Sequence, residues 1–172
     1  AFVPLLLALQ GTNKPLRAAL WGFLTGVVVH IGLLYWIAQV IVMYGYLPLY
    51  IGISAMILLS CVLSLYFSLF SAALVFLRNR GFSEIVSAPL LWVGLEYLKS
   101  HLFTGFPWEN LAYSQYQYLT IIQFTDITGI YGLSFIIIFV NVLVVDLISH
   151  RHHGRNLVPE VLAGCLILAL II

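Results

Sequence analysis

Long apolar runs separated by short polar segments organise this chain. Ala1–Leu9 is an apolar stub, too short to cross a bilayer alone. The polar segment Gln10–Arg17 (QGTNKPLR) follows, then the apolar run Ala18–Met43. Tyr44–Tyr50 (YGYLPLY) reads as an aromatic Pro/Gly turn of the kind found at a membrane interface. Ile51–Leu77 is the next run, closed by Arg78–Glu84 (RNRGFSE), and Ile85–Phe103 is the third. Thr104–Gly129 is the longest polar-leaning stretch. Ile130–Ile148 and Leu157–Ile172 are the last runs, on either side of Ser149–Asn156 (SHRHHGRN). Hydrocarbon offers the backbone no partners, so each run must pair its own N–H and C=O groups and is predicted to be helical. A crossing takes about 20 apolar residues. The pattern predicts an all-α, polytopic transmembrane helix bundle of about five full spans (18–43, 51–77, 85–103, 130–148 and 157–172) plus the N-terminal stub, with an outer loop over 104–129.

Composition agrees with the pattern. Of the 172 residues, 63% are hydrophobic and 8% charged, against about 45–50% and about 25% in a soluble domain. Mean hydropathy is +1.09. The formal net charge of +1 argues against nucleic acid as a partner. Six of the seven basic residues (Lys14, Arg17, Arg78, Arg80, Arg151 and Arg155) fall in loops 10–17, 78–84 and 149–156. Those loops are expected on one side, the cytoplasmic one, with loops 44–50 and 104–129 on the far side. Chemistry at loop 104–129 would draw on lipids or exported proteins. The chain begins and ends within apolar runs, as a fragment of something larger would.

Few residues are candidates for chemistry. Gly22 and Gly26 form a GxxxG pair, and Ser60, Ser64, Ser68 and Ala72 make a stripe at spacing four. Both read first as close helix packing, with a lipid-tail groove as the sharper alternative. His30, Gln39, Asn141 and Asp146 are polar residues inside runs; His30 has no carboxylate one turn away and reads as a satisfied core histidine. Glu96 and Lys99, three apart on one helix face, form either a local ion pair or a cation placed for a phosphate headgroup. In FTGFPWENLAYSQ, Gly105 and Pro107 break any regular helix, and Phe106, Trp108 and Tyr113 supply amphipathic rings. That stretch reads as a shaped, re-entrant rim over a lipid-facing opening. No nucleophile with its base, no metal spacing and no phosphate loop is present. Cys61 and Cys165 sit in apolar runs with no base beside them, and the cluster His150, His152 and His153 has no carboxylate or cysteine with it.

The block Phe103–Gln115 closely resembles the signature stretch of the bacterial apolipoprotein N-acyltransferase family. The flanking segments Ala88–Ser100, Asp126–Asn141 and Asn13–Ile37 resemble the family's neighbouring helices. The resemblance implies an eight-helix membrane domain in the bacterial cytoplasmic (inner) membrane. It also implies a nitrilase-like domain, outside the cytoplasm and inserted before the last helix, that carries a Glu-Lys-Cys triad. An acyl chain passes from a phospholipid donor to the cysteine, then to the α-amino group of a diacylglyceryl apolipoprotein acceptor; no cofactor and no metal is required. The triad has no counterpart in this chain, so no catalytic residue is assigned, the nitrilase-like domain is expected to be absent, and the segment alone is expected to be inactive. The implied substrate-binding residues are Glu96, Lys99, Phe106, Pro107, Trp108 and Tyr113. Lys99 stands where the family commonly has arginine, which removes a bidentate fork. The alternative is a non-catalytic lipid-binding or scaffold bundle.

Overall fold

A computed structural model describes residues 2–102 and 105–150. Six α-helices follow in order: α1 (Phe2–Gln10), α2 (Pro15–Gly45), α3 (Leu49–Asn79), α4 (Glu84–His101), α5 (Leu119–Ile122) and α6 (Thr125–His150). A 3-10 turn, Leu111–Gln115, precedes α5. There is no strand among the described residues. Among the described residues three helices are long and apolar enough to cross a membrane: α2, α3 and α6 over Thr125–Ser149. The expectation of about five spans is met only to that extent. The expected span 85–103 forms α4, whose 18 residues include Glu84, Glu96 and Lys99. The run 157–172 lies outside the described residues, as do His152, His153 and Cys165.

α2 and α3 form a hairpin of two 31-residue helices, each about 46 Å long at 1.5 Å per residue. That exceeds a hydrocarbon core of about 30 Å. Pro15 opens α2 at a position where no backbone N–H is needed, and Pro48 precedes α3. The hairpin closes tightly because its seam is built from small residues. A Cβ at Gly26 would stand 2.9 Å from Ser64 Cβ, and one at Gly52 2.8 Å from the Ala38 carbonyl oxygen. A Cβ at Gly22 would collide with the Phe67 carbonyl and with Ser71. The packing reading of Gly22 and Gly26 holds. The serine stripe is corrected: the buried positions are Ser60, Ser64, Phe67 and Ser71, with Ser68 and Ala72 only half-buried. A strict spacing of four drifts off the face of a 3.6-residue helix, so the seam steps back to three.

The core lies where α1, α3, α4 and α6 meet, with Ile138, Val142 and Val145 of α6 buried in it. Phe2 stacks on Phe67 at 5.4 Å, and Trp92 stands edge-on to Phe2, Phe67 and Phe70 at 4.5, 4.9 and 5.3 Å. Such offset and edge-on ring pairs are the favoured aromatic geometries. The stub α1 is therefore a core element, with Phe2, Leu5, Leu6 and Leu9 buried. At one end of the bundle Arg78 ties three segments together. It donates to Glu84 Oε1 at 3.0 Å, to the Leu9 carbonyl at 3.0 Å and to the Thr12 carbonyl. Asn79 donates to the Asn13 carbonyl at 2.8 Å, and Ser149 to Gln10 Oε1 at 2.5 Å. Loops 10–17 and 78–84 thus meet the end of α6, at the end of the bundle where the basic residues gather.

The opposite end carries the polar stretch, described over 105–129, which is more regular in its path than a loop. It holds the 3-10 turn, α5 and the first turn of α6. Gly129 adopts φ 68° and ψ −178°, interrupting α6 where the long apolar helix begins. That left-handed conformation costs glycine nothing, because it has no Cβ.

Candidate functional site

The chain turns sharply after α4. Gly105, at φ 76°, donates its N–H to the Leu102 carbonyl at 2.9 Å, and the Phe106 N–H returns to the Lys99 carbonyl at 2.9 Å. A side chain at Gly105 would meet the Ser100 carbonyl, so close approach and positive φ both require glycine. Residues 105–112 then fold back across the end of α4. Lys99 Nζ donates to the Trp108 carbonyl at 3.0 Å, the Leu111 N–H donates to Glu96 Oε1 at 2.6 Å, and the Ala112 N–H donates to Ser134 Oγ at 3.2 Å. Two charged side chains of α4 and one hydroxyl of α6 therefore fasten the segment to the bundle. Glu96 and Lys99 are 2% and 9% exposed. They make no direct ion pair; each binds the loop backbone instead.

Beneath this segment lies a cavity of about 410 Å³. Its walls are apolar: Leu5 from α1, Val29 and Leu33 from α2, Leu63 and Phe67 from α3, Leu95 from α4. One part of its lining is polar and comes from three elements, His30 on α2, Glu96 and Lys99 on α4, and Glu109 from the loop. An apolar cleft with a few convergent polar groups is the usual form of a small-ligand site. His30 Nδ1 donates to the Gly26 carbonyl at 2.7 Å, so in the neutral ring Nε2 is an acceptor. That Nε2 stands 3.8 Å from Glu109 Oε2. Glu109 has a positive φ of 61°, a conformation uncommon outside glycine. Both of its carboxylate oxygens are buried without a hydrogen-bond partner, as are Glu96 Oε2 and Trp92 Nε1. Burial pushes the Glu109 carboxyl above the ordinary glutamate range, and the Lys99 ammonium opposes that rise.

Of the residues expected in the site, Glu96 and Lys99 line the cavity; Phe106, Pro107, Trp108 and Tyr113 do not. Phe106 is half-buried, while Pro107, Trp108 and Tyr113 face outward, Trp108 at 58% exposure. Trp108 packs 5.6 Å from Phe106 and 6.0 Å from Trp36 of α2, so the three rings form an outer rim. Among the cavity's lining, His30 was expected only as a core histidine, Glu109 only as polar reach of the rim, and Trp92 not at all. The available signal for Glu109 was a carboxylate directly after a Gly/Pro-shaped turn. For His30 no local signal existed, because its partner is not one turn away but in a distant loop. Cys61 is half-buried on α3, and no group of His, Cys, Asp and Glu among the described residues could hold a metal ion.

A family profile described as the apolipoprotein N-acyltransferase N-terminal domain matches residues 1–143. Individual relatives carry the same description without the domain qualifier. The protein from Geobacter metallireducens named apolipoprotein N-acyltransferase is 45% identical over 148 residues, 86% of this chain and 28% of the relative. Those of the same name from Wigglesworthia glossinidia brevipalpis and Nitrosomonas europaea are 32% and 30% identical. They align with 80% and 73% of this chain and with 28% and 26% of their own lengths. The chain spans little more than a quarter of the length of these curated relatives.

Proposed function

This chain belongs to the apolipoprotein N-acyltransferase family through its N-terminal domain, and from that premise we propose that it acts as the membrane part of such an enzyme. The activity is transfer of an acyl chain from a phospholipid to the N-terminal diacylglyceryl-cysteine of apolipoproteins, in the bacterial inner membrane. The observation that carries this reading is the apolar cavity with a polar head, roofed by the Gly105–Ala112 segment. Such a cavity suits a molecule with a hydrocarbon body and a polar end. In this reading Phe106, Pro107, Trp108 and Tyr113 shape the mouth through which acyl chains pass, and Glu96 and Lys99 hold that mouth in place. Residues 1–172 alone are expected to transfer no acyl group, because the family's Glu-Lys-Cys triad has no counterpart among them. The basic loops 10–17 and 78–84 face the cytoplasm, and the rim faces the periplasm.

The test is a graft. This chain replaces the aligned membrane region of the Geobacter metallireducens relative, and N-acylation of an apolipoprotein is followed with phospholipid as donor. The graft is expected to be active. Trp108→Ala in it should lower turnover by about tenfold or more while leaving the amount of folded protein unchanged, as expected for a group that positions substrate. A folded but inactive graft, or a Trp108→Ala graft with unchanged turnover, contradicts the reading.

A further inference from the structure

The end of the bundle away from the rim gathers positive charge that the described residues do not neutralise. Lys14 is the N-cap of α2, Arg17 lies one turn on, and Arg80 closes the end of α3. The fold bonds these two helix ends together across 66 residues of sequence: Asn79, just before Arg80, donates to the carbonyl of Asn13, just before Lys14. The Lys14 N–H donates to Thr12 Oγ1 at 3.3 Å, and Arg78 binds the Thr12 carbonyl. Lys14 and Arg80 therefore flank one fixed junction. The side chains of Lys14, Arg17 and Arg80 are exposed, and none makes an ion pair among the described residues. The carboxylates of this end, Glu84 and Asp146, line a separate recess with Arg78, and Glu84 is bonded to Arg78.

Large apolar side chains stand exposed among these cations. Leu16, between Lys14 and Arg17, is 86% exposed, and Phe82, two residues past Arg80, is 61% exposed. The Arg80 guanidinium lies over the Phe76 ring, 5.1 Å from its centre. Leu20 and Trp21 are exposed one turn into α2. Cations interleaved with exposed apolar and aromatic side chains at the ends of membrane-crossing helices suit the layer where headgroups meet acyl chains. Water would satisfy the cations and leave Leu16 and Phe82 wet; a lipid with an anionic head satisfies both. We propose that this end of the bundle binds an anionic glycerophospholipid, its phosphodiester among Lys14, Arg17 and Arg80 and its acyl chains along Leu16, Leu20 and Trp21. The site is remote from the cavity and independent of the acyl-transfer reading.

The experiment holds the purified chain in a neutral detergent, adds phosphatidylglycerol or phosphatidylcholine with the same acyl chains, and counts retained lipid by native mass spectrometry. Phosphatidylglycerol should be retained at least about tenfold over phosphatidylcholine, each engaged basic side chain supplying about fivefold. The preference should fall as salt rises from about 0.1 M to about 1 M, because the screening length shrinks from about 10 Å to about 3 Å. Lys14→Gln, Arg17→Gln and Arg80→Gln together should bring it to near one. Brominated chains on phosphatidylglycerol should quench tryptophan fluorescence more than the same chains on phosphatidylcholine, and Trp21→Phe should remove that excess. Equal retention of the two lipids overturns the proposal. So does a preference that survives the triple replacement, or an excess quenching that survives Trp21→Phe, since either puts the anionic lipid elsewhere. The lipid comparison and its salt dependence are read on the unaltered chain, so the test stands even if the triple variant does not fold.

Discussion

Glu109 concentrates the tension in this molecule at a single residue. Its carboxyl is buried, it lacks a hydrogen-bond partner, its backbone is left-handed, and the charged or titratable groups around it are Lys99, Glu96 and His30. Burial raises its pKa above that of a free glutamate, partly offset by Lys99. The fold therefore holds the proton more tightly than the unfolded chain does. The stability linked to this group is fully present below the unfolded glutamate pKa and is lost as pH rises through the raised, folded value. Glu109→Gln keeps the shape and cannot ionise. The variant and the parent should melt together at acid pH, and the variant should melt higher once pH passes the raised value. Melting curves between about pH 4 and pH 8 that stay parallel would show that Glu109 carries no such cost. The sequence announced the turn that carries this residue, through Gly105 and Pro107, but not its burial. Which way a loop side chain points depends on the helix beneath it, and His30 belongs to another element.

The α2–α3 hairpin is where helix-scale packing was most legible. Gly22 and Gly26 lie at the spacing that brings backbones together, and the structure puts both against α3. The serines opposite were legible as a class but not in register, because a sequence stripe at spacing four ignores the 100° turn per residue. Within this element the glycines are not equivalent to glycines elsewhere. At Gly22 an added methyl meets the Phe67 backbone, which cannot rotate away, whereas at Gly94 in α4 nothing lies within 4 Å. Gly22→Ala should therefore force the two helices apart and destabilise by about 1–3 kcal/mol. Gly94→Ala should be neutral or stabilising by about 0.5–1 kcal/mol, since alanine loses less backbone entropy in a helix. Thermal melting of the two variants in detergent checks this, and equal effects would mean that the seam is not the tight contact it is drawn to be. The third run illustrates the opposite limit of legibility. By composition alone α4 is less apolar than its neighbours, yet two of its charges, Glu96 and Lys99, are turned inward. Hydropathy counts a charge wherever it points.

At the scale of the whole molecule, the distribution of charge and the tertiary contacts make the same division. The basic loops were expected on one side from Lys14, Arg17, Arg78 and Arg80. Arg78 and Asn79 are bonded directly to the loop that follows α1, so those segments are physically one end. The rim built from Trp36, Phe106 and Trp108 belongs to the other. What the sequence could not supply was the cavity between them, because its walls come from α1, α2, α3 and α4 at once. If the two ends face opposite compartments, a single pair of reporters tells them apart. Ser114 and Ser83 are both exposed and sit at opposite ends, and serine to cysteine is a small change. In a background with Cys61 and Cys165 replaced by alanine, Ser114→Cys should react with a membrane-impermeant thiol reagent added to intact spheroplasts. Ser83→Cys should react only after the membrane is opened, because an ionic reagent cannot cross hydrocarbon. The reverse pattern would invert the molecule and place the rim on the cytoplasmic side. Labelling of both from outside would mean that α2, α3 and α6 do not separate two compartments at all.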